Sequence, residues 1–88
     1  MASYKVDFKP SVHKDYRRLP KSVVERAMKR IEKLKDDPFP HGVEKLEDAD
    51  RLYRLRVGDY RIVYEVDTQV QQIIVLYVRH RREVYRAL

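Results

Sequence analysis

The chain has 88 residues, 43% of them apolar and 39% charged, which is enough for one domain with a modest core over residues 1–88. It contains no cysteine, so disulfides and thiolate metal sites are excluded. Twenty Lys and Arg against 14 Asp and Glu give a net charge of +6, which favours a polyanionic partner such as RNA, DNA or an acidic protein.

The N-terminal half predicts one strand followed by two helices. Residues 4–8 alternate between apolar and polar side chains, as a short strand does, and Pro10 ends that strand. Ser11 is expected to cap a first helix over residues 11–19, and the Leu19-Pro20 step separates it from a second helix over residues 21–35. The second helix has an apolar stripe at helical spacing, formed by Val24, Ala27, Met28, Ile31 and Leu34. The two helices are therefore predicted to cover one face of a sheet.

Residues 51–66, RLYRLRVGDYRIVYEV, predict two antiparallel strands joined by a two-residue turn at Gly58-Asp59. Pairing Val57 with Tyr60 places Arg56 opposite Arg61 and fixes the faces of both strands. One face is apolar and aromatic and consists of Tyr53, Leu55, Val57, Tyr60, Ile62, Tyr64 and Val66. The other carries Arg54, Arg56 and Arg61. Because directly opposed arginines repel each other, this face indicates a bound polyanion; arginines that merely extend into solvent are the alternative.

The remaining segments complete the sheet. Residues 43–50, VEKLEDAD, are interpreted as a solvated acidic linker, because Glu44, Glu47, Asp48 and Asp50 lack the spacing of a carboxylate site. After a turn at residues 67–69, residues 72–79 predict an interior strand, apolar on both faces, with Val75, Tyr77 and Arg79 on one of them. Residues 81–88 are expected to form a short basic helical turn that carries Tyr85.

The order of these elements, β-α-α-β-β-β with a short C-terminal helical turn, predicts an α+β fold. A small antiparallel sheet would carry the N-terminal αα-hairpin on one face. The opposite face would collect the hairpin arginines with Arg79 from the last strand and Tyr85 just beyond. Guanidinium groups bind phosphate oxygens in pairs and stabilise the charge that develops during phosphoryl transfer.

The segments LYRLRVGDYRIVYEVD and IVLYVRHRREVY resemble the RelE branch of the RelE/ParE toxin superfamily, in its archaeal-like form, and the resemblance extends over essentially the whole chain. It implies a RelE-like microbial ribonuclease fold and a toxin of a type II toxin–antitoxin system that cleaves mRNA in the ribosomal A site and inhibits translation. In the implied reaction, which needs no metal, a ribose 2′-OH attacks the adjacent phosphate and leaves a 2′,3′-cyclic phosphate and a 5′-OH. The implied partners are the ribosome, mRNA and a small acidic RelB-like antitoxin.

By position, the resemblance makes Arg61, Arg79 and Tyr85 the catalytic residues. Arg61 would neutralise the scissile phosphate, Arg79 would do the same or protonate the leaving 5′ oxygen, and Tyr85 would stack on or activate the substrate. The substrate-binding residues would be Arg54, Arg56, His80 and Arg81. Arg54 and Arg56 stand where well-studied members have lysines. Since arginine does not lose its proton, Arg54 is a poor general base, and the base is left open between Tyr85 and His80.

Two other functions fit the sequence less fully. A ParE-like gyrase inhibitor without enzymatic activity should lack the convergent arginines and tyrosine, and an RNA-binding domain without catalysis should place stacking aromatics on the arginine-bearing face. No cofactor or metal is expected, because His13, His41 and His80 show no ligand spacing. The chain has neither a long apolar run nor a secretory signal, which predicts a cytoplasmic protein without membrane contact.

Overall fold

The computed structural model describes residues 3–46 and 50–83, which form a five-stranded sheet and two helices. The elements are β1 (Lys5–Phe8), α1 (Pro10–Arg18), α2 (Lys21–Leu34), β2 (Glu44–Lys45), β3 (Leu52–Val57), β4 (Tyr60–Asp67) and β5 (Gln72–His80). A further helical turn begins at residues 81–83. Both helices contribute to one core with the sheet, which confirms the α+β class and the helical hairpin. Neither helix is long and apolar enough to cross a membrane.

The sheet has the order β1-β5-β4-β3-β2 and differs from the predicted antiparallel arrangement in two respects. Strand β1 pairs in parallel with β5, since the long connection between them allows a crossover. Strand β2 pairs with β3 and lies inside the segment interpreted as a linker. The sheet is therefore mixed, and the linker interpretation is wrong for Glu44 and Lys45.

Helix α1 begins one residue earlier than predicted. Pro10 takes the first helical position, where its missing N–H costs nothing, and Lys9 is the N-cap. Ser11 therefore does not cap the helix, and its hydroxyl donates instead to the carbonyl oxygen of Leu76 in β5. This bond ties the start of α1 to the edge of the sheet.

Helix α2 buries a stripe that is rotated from the predicted one. The buried residues are Val23, Ala27, Ile31 and Leu34. Met28, assigned to the stripe from the sequence, is 42% exposed, and Val24 is only half-buried. The polar side of α2, which includes Arg26 and Lys33, therefore faces solvent.

The register predicted for the central hairpin is confirmed. Val57 pairs with Tyr60 and Arg56 with Arg61. Gly58, the first of the two central turn residues, has a φ of 58°, which is the pattern of a type II′ turn. The predicted apolar face is buried against the helices at Leu55, Val57, Ile62, Tyr64 and Val66.

A β-bulge between β4 and β5 changes the faces of the last strand. Val63 pairs with Tyr77, but the next residue, Tyr64, pairs with Val75, so Leu76 is an extra residue. On the N-terminal side of the bulge, the side chain of Val75 points into the core, where it is fully buried. The prediction that Val75 shares a face with Tyr77 and Arg79 is therefore wrong, because it assumed strict alternation along the whole strand.

Tyr64 is fully buried, and its hydroxyl donates to the carbonyl oxygen of Pro38 at 2.8 Å. Burial raises the pKa of this phenol above its ordinary value. The neutral form is thus favoured by folding, so this contribution to stability is complete below pH ~10 and is lost as the pH rises further. For Tyr64→Phe we expect a loss of about 1–2 kcal/mol at neutral pH, from the unpaired carbonyl, and a weaker decline of the unfolding free energy in alkali.

Urea unfolding followed by circular dichroism from neutral to strongly alkaline pH measures both effects. Tyr16→Phe is the matched control: burial raises the pKa of Tyr16 to about 12, but its hydroxyl donates only to the thioether of Met28 at 3.2 Å. It should therefore cost less at neutral pH. Parallel curves for wild type and Tyr64→Phe in alkali would contradict the assignment.

Candidate functional site

The sheet face opposite the helices, here termed the arginine face, carries Arg54, Arg56, Arg61 and Arg79. Strand pairing aligns Arg56, Arg61 and Arg79 in one row across β3, β4 and β5. Paired Cα atoms on antiparallel strands lie about 5 Å apart, so the row extends over roughly 10 Å. The neighbouring row consists of Arg54, Val63 and Tyr77.

Arg61, at the centre of the row, is anchored through one nitrogen. Its Nη1 donates to the carbonyl oxygens of Gly58 at 3.1 Å and Tyr60 at 2.9 Å. The Nε of Arg56 donates to the same Gly58 oxygen at 3.3 Å. These bonds hold Arg61 against the turn through Nη1. The N–H groups of Nε and Nη2 are arranged so that they can donate together to two oxygens of a phosphate.

Arg79 is held by a carboxylate from α1. Its Nε donates to Asp15 Oδ1 at 3.2 Å, and Asp15 Oδ2 accepts the backbone N–H of Val78 at 3.1 Å. Asp15 is only 8% exposed. Because β1 ends at Phe8, the last part of β5 has no strand on its outer edge, and α1 supplies the acceptor there. The Arg79 guanidinium also lies 4.7 Å from the centre of the Tyr77 ring, a cation–π contact.

Arg54 forms an ion pair with Glu44 of β2, and its side chain is only 15% exposed. The hydrogen bond from Arg54 lowers the pKa of Glu44. Arg56, by contrast, is exposed. Arg54 thus forms a covered border of the arginine face, whereas Arg56 is accessible to a ligand.

Tyr77 is the aromatic residue that the fold adds to this face. Burial raises the pKa of its hydroxyl, and the nearby Arg79 opposes the shift. The phenol is therefore neutral at physiological pH, where it can stack or donate a hydrogen bond but is a weak base. The sequence pattern predicts that Tyr77 shares a face with Arg79 but gives Tyr77 no role in the site.

The three other predicted site residues lie differently. His80 pairs with Tyr60, on the helix side of the sheet, and the two ring centres are 5.4 Å apart with edge-on geometry. The His80 Nδ1 accepts the backbone N–H of Arg82 at 3.3 Å. Arg81 is exposed, and its backbone N–H donates to the carbonyl oxygen of Asp59 at 2.8 Å. Tyr85 lies outside the described residues.

An open pocket of about 540 Å³ joins the two sides of the sheet at this end of β5. It is lined by Asp15, Arg18, Leu19, Tyr60, Val78, Arg79, His80 and Glu83. The pocket brings Arg79 and His80 together although they point to opposite faces. Within residues 3–46 and 50–83, no group of three or more His, Asp or Glu side chains is arranged to hold a metal ion.

Comparisons with known proteins agree with this architecture. Residues 6–85 match the family described as ParE toxin of type II toxin-antitoxin system, parDE. A relative from Methanocaldococcus jannaschii that carries the name RelE1 is 30% identical over 86 residues, which cover 94% of this chain and 96% of the relative. The chain therefore belongs to the RelE/ParE superfamily and is a RelE-like toxin of a type II toxin–antitoxin system.

Solved structures show the same fold. A chain of the archaeal RelE–RelB complex from Pyrococcus horikoshii has 33% sequence identity and a TM-score of 0.79, with 90% of this chain and 96% of that chain covered. A mutant of the Escherichia coli toxin RelE with two arginines replaced by alanine, in the free state, has 26% identity and a TM-score of 0.78, with 96% of this chain and 92% of that chain covered.

Proposed function

We propose that this toxin is a metal-independent endoribonuclease that cleaves mRNA in the ribosomal A site. The observation that carries the proposal is the row of Arg56, Arg61 and Arg79 across three strands. Such a row is unfavourable for the sheet alone and becomes favourable with a phosphodiester bound to it. RNA brings its own nucleophile, the 2′-OH, so a site made of cations can act by placing that group and stabilising the phosphorane.

Each arginine has a role that its contacts support. Arg61 binds the non-bridging oxygens of the scissile phosphate through Nε and Nη2, because its Nη1 is occupied by the turn. Arg79, fixed by Asp15, adds charge stabilisation beside it. Arginine keeps its proton, so this role is favoured for Arg79 over donation to the leaving oxygen. Arg56 and Arg81, which are both exposed, bind flanking phosphates.

The general base is the remaining role. Tyr77 is neutral at physiological pH, as its raised pKa requires. The His80 ring packs against Tyr60 on the helix side of the sheet, and its Nδ1 accepts the backbone N–H of Arg82. We propose Tyr85, to which the family resemblance gives the role of activating the substrate, as the residue that abstracts the proton.

An acidic RelB-like antitoxin is the proposed partner that neutralises the basic surface. Two solved relatives, from Pyrococcus horikoshii and Methanocaldococcus jannaschii, are RelE–RelB complexes. A chain with a net charge of +6 is complementary to an acidic wrapping segment. Action on ribosomes places the toxin in the cytoplasm.

Primer extension on an mRNA in a purified translation system tests the activity. We expect breaks within codons that require ribosomes, and new 5′-OH ends that polynucleotide kinase labels directly without phosphatase treatment. Such ends are the product of 2′-OH attack, whereas metal nucleases that use water commonly leave 5′-phosphates. Intact mRNA at saturating toxin would overturn the proposal.

Gyrase inhibition is the second candidate, because the matching family is described by its ParE toxin. The relative named RelE1 and the RelE structures favour RNA cleavage. A DNA supercoiling assay with purified gyrase separates the two functions. Inhibited supercoiling together with intact mRNA would assign the toxin to the ParE type.

A further inference from the structure

A second basic surface adjoins the row of arginines, shares Arg56 with it, and extends from the tip of the central hairpin to α2. It is a groove of about 250 Å³, here termed the basic groove, lined by Arg26, Lys29, Arg30, Lys33, Arg56, Val57 and Gly58. Five of these seven residues are cationic and none is acidic. The groove reaches α2 on the helix side of the sheet, and Arg56 is the residue that it shares with the arginine face.

Folding does not explain this clustering of charge. Arg26, Lys29, Arg30 and Lys33 occupy positions i, i+3, i+4 and i+7 of α2, where like charges are neighbours and weaken the helix. In the part of the chain that the structure describes, none of the five cations has a carboxylate oxygen within 4 Å of its nitrogens. No ion pair within 4 Å therefore offsets the charge of these cations in the free protein, which points to an anionic ligand.

Gly58 connects the groove to the arginine face. Its carbonyl oxygen accepts from Arg56 and Arg61, while a Cβ built on it would lie 3.1 Å from Nη2 of Arg26. Three arginines therefore surround one residue of the turn, and positive charge continues around the hairpin tip from the proposed cleavage site to α2. An RNA that is bound at the row of arginines can therefore place further phosphates in the basic groove.

The chemistry of the lining selects the form of RNA. The groove offers guanidinium and ammonium groups for phosphates but contains no aromatic side chain on which an unpaired base could stack. Double-helical RNA is recognised mainly through its backbone and shape. We propose that the basic groove binds the phosphate backbone of double-helical RNA, such as the folded RNA that surrounds mRNA in the ribosome. The proposal extends the proposed action at the ribosome, and the choice of ribosomal RNA as the ligand rests on that action.

The test is binding of a fluorescein-labelled RNA duplex of about 16 base pairs, the length a duplex-binding domain covers, followed by anisotropy over a range of KCl concentrations. Lys29→Gln combined with Lys33→Gln removes two groove charges from exposed positions. Lys5→Gln combined with Lys14→Gln removes the same charge from exposed positions elsewhere. We expect the groove variant to bind about tenfold more weakly and to lower the salt slope by about two, with less than about a twofold change in the control.

Other outcomes would overturn the inference. An equal loss in both variants would mean that net charge alone matters, and unchanged binding in the groove variant would mean that RNA does not use the groove. A 16-residue polyglutamate peptide is the second probe: if the groove variant loses peptide binding but keeps duplex binding, the groove fits an acidic protein. The melting temperature of the groove variant should not fall, since two like charges have been removed from α2.

The duplex assay contains neither ribosomes nor a cleavable codon, so it is independent of the cleavage proposal. A toxin that cuts no mRNA can still bind duplex through the groove. A toxin that cuts normally and binds duplex without using Lys29 and Lys33 would overturn only the groove. In the translation system, the groove variant should need more toxin for half-maximal cleavage while retaining the wild-type rate at saturation.

Discussion

Replacing Arg61 with alanine is expected to lower the rate of ribosome-dependent mRNA cleavage by about 10²–10³-fold, the range found when one donor to a developing negative charge is removed. Arg61 lies at the centre of the row, with Arg56 on one side and Arg79 on the other. Its position is set by two carbonyl oxygens of the turn at 2.9 and 3.1 Å. A donor fixed before the reaction needs no reorganisation when charge develops, which is why its loss should appear in the rate at saturating toxin.

Two further variants separate charge from geometry. Arg61→Lys keeps the charge but loses the fork that binds two oxygens, and should recover only part of the rate. Arg51→Ala removes an exposed arginine, paired with Asp67, from the other end of the hairpin and should cleave like wild type. Cleavage by Arg61→Ala within about threefold of wild type would remove Arg61 from the proposed mechanism, provided that circular dichroism shows a folded protein.

The row of arginines could be predicted because local chemistry determines it. Gly58 specifies a two-residue turn, and strict alternation on both sides leaves one register that buries the apolar face, so Arg56 and Arg61 had to meet. Strict alternation predicts the face of Arg79 correctly because no bulge lies between Tyr77 and Arg79. The same rule gives the wrong face for Val75, because the bulge at Leu76 separates Val75 from Tyr77.

The supporting carboxylates could not be predicted in the same way. Asp15 reaches Val78 and Arg79 across separations of 63 and 64 residues, and nothing in the sequence of α1 indicates that it will lie along an unpaired edge of β5. Glu44 lies in a polar segment whose acidic residues show no periodicity. Glu44 and Lys45 nevertheless form β2, and this pairing with β3 brings the Glu44 carboxylate to Arg54. Long-range pairing of edge strands depends on the whole fold, whereas a hairpin depends on its turn.

Asp15→Ala is expected to cause the largest loss of stability among single substitutions at the site. It leaves the buried N–H of Val78 without an acceptor and the Arg79 guanidinium without its partner. Arg79 is 31% exposed, so solvent screens the ion pair, and most of the effect should come from the N–H. We expect a loss of about 2–3 kcal/mol, which corresponds to a fall of roughly 10–20 °C in Tm for a domain of this size.

Asp15→Asn distinguishes a structural from a positioning role for this carboxylate. The amide oxygen can still accept the N–H of Val78, so about half of the stability should return, while the charge that fixes Arg79 is absent. At a temperature where the variant is folded, we expect cleavage to fall about tenfold because Arg79 is no longer held in place. Thermal unfolding and primer extension on the same samples give both values, with Asp36→Ala, an exposed aspartate, as the control.

Two outcomes would contradict these expectations. If Asp15→Asn melts below wild type but cleaves at the wild-type rate, Asp15 serves only the edge of β5. If Asp15→Ala melts within about 2 °C of wild type, the contacts of Asp15 with Val78 and Arg79 contribute little to the fold.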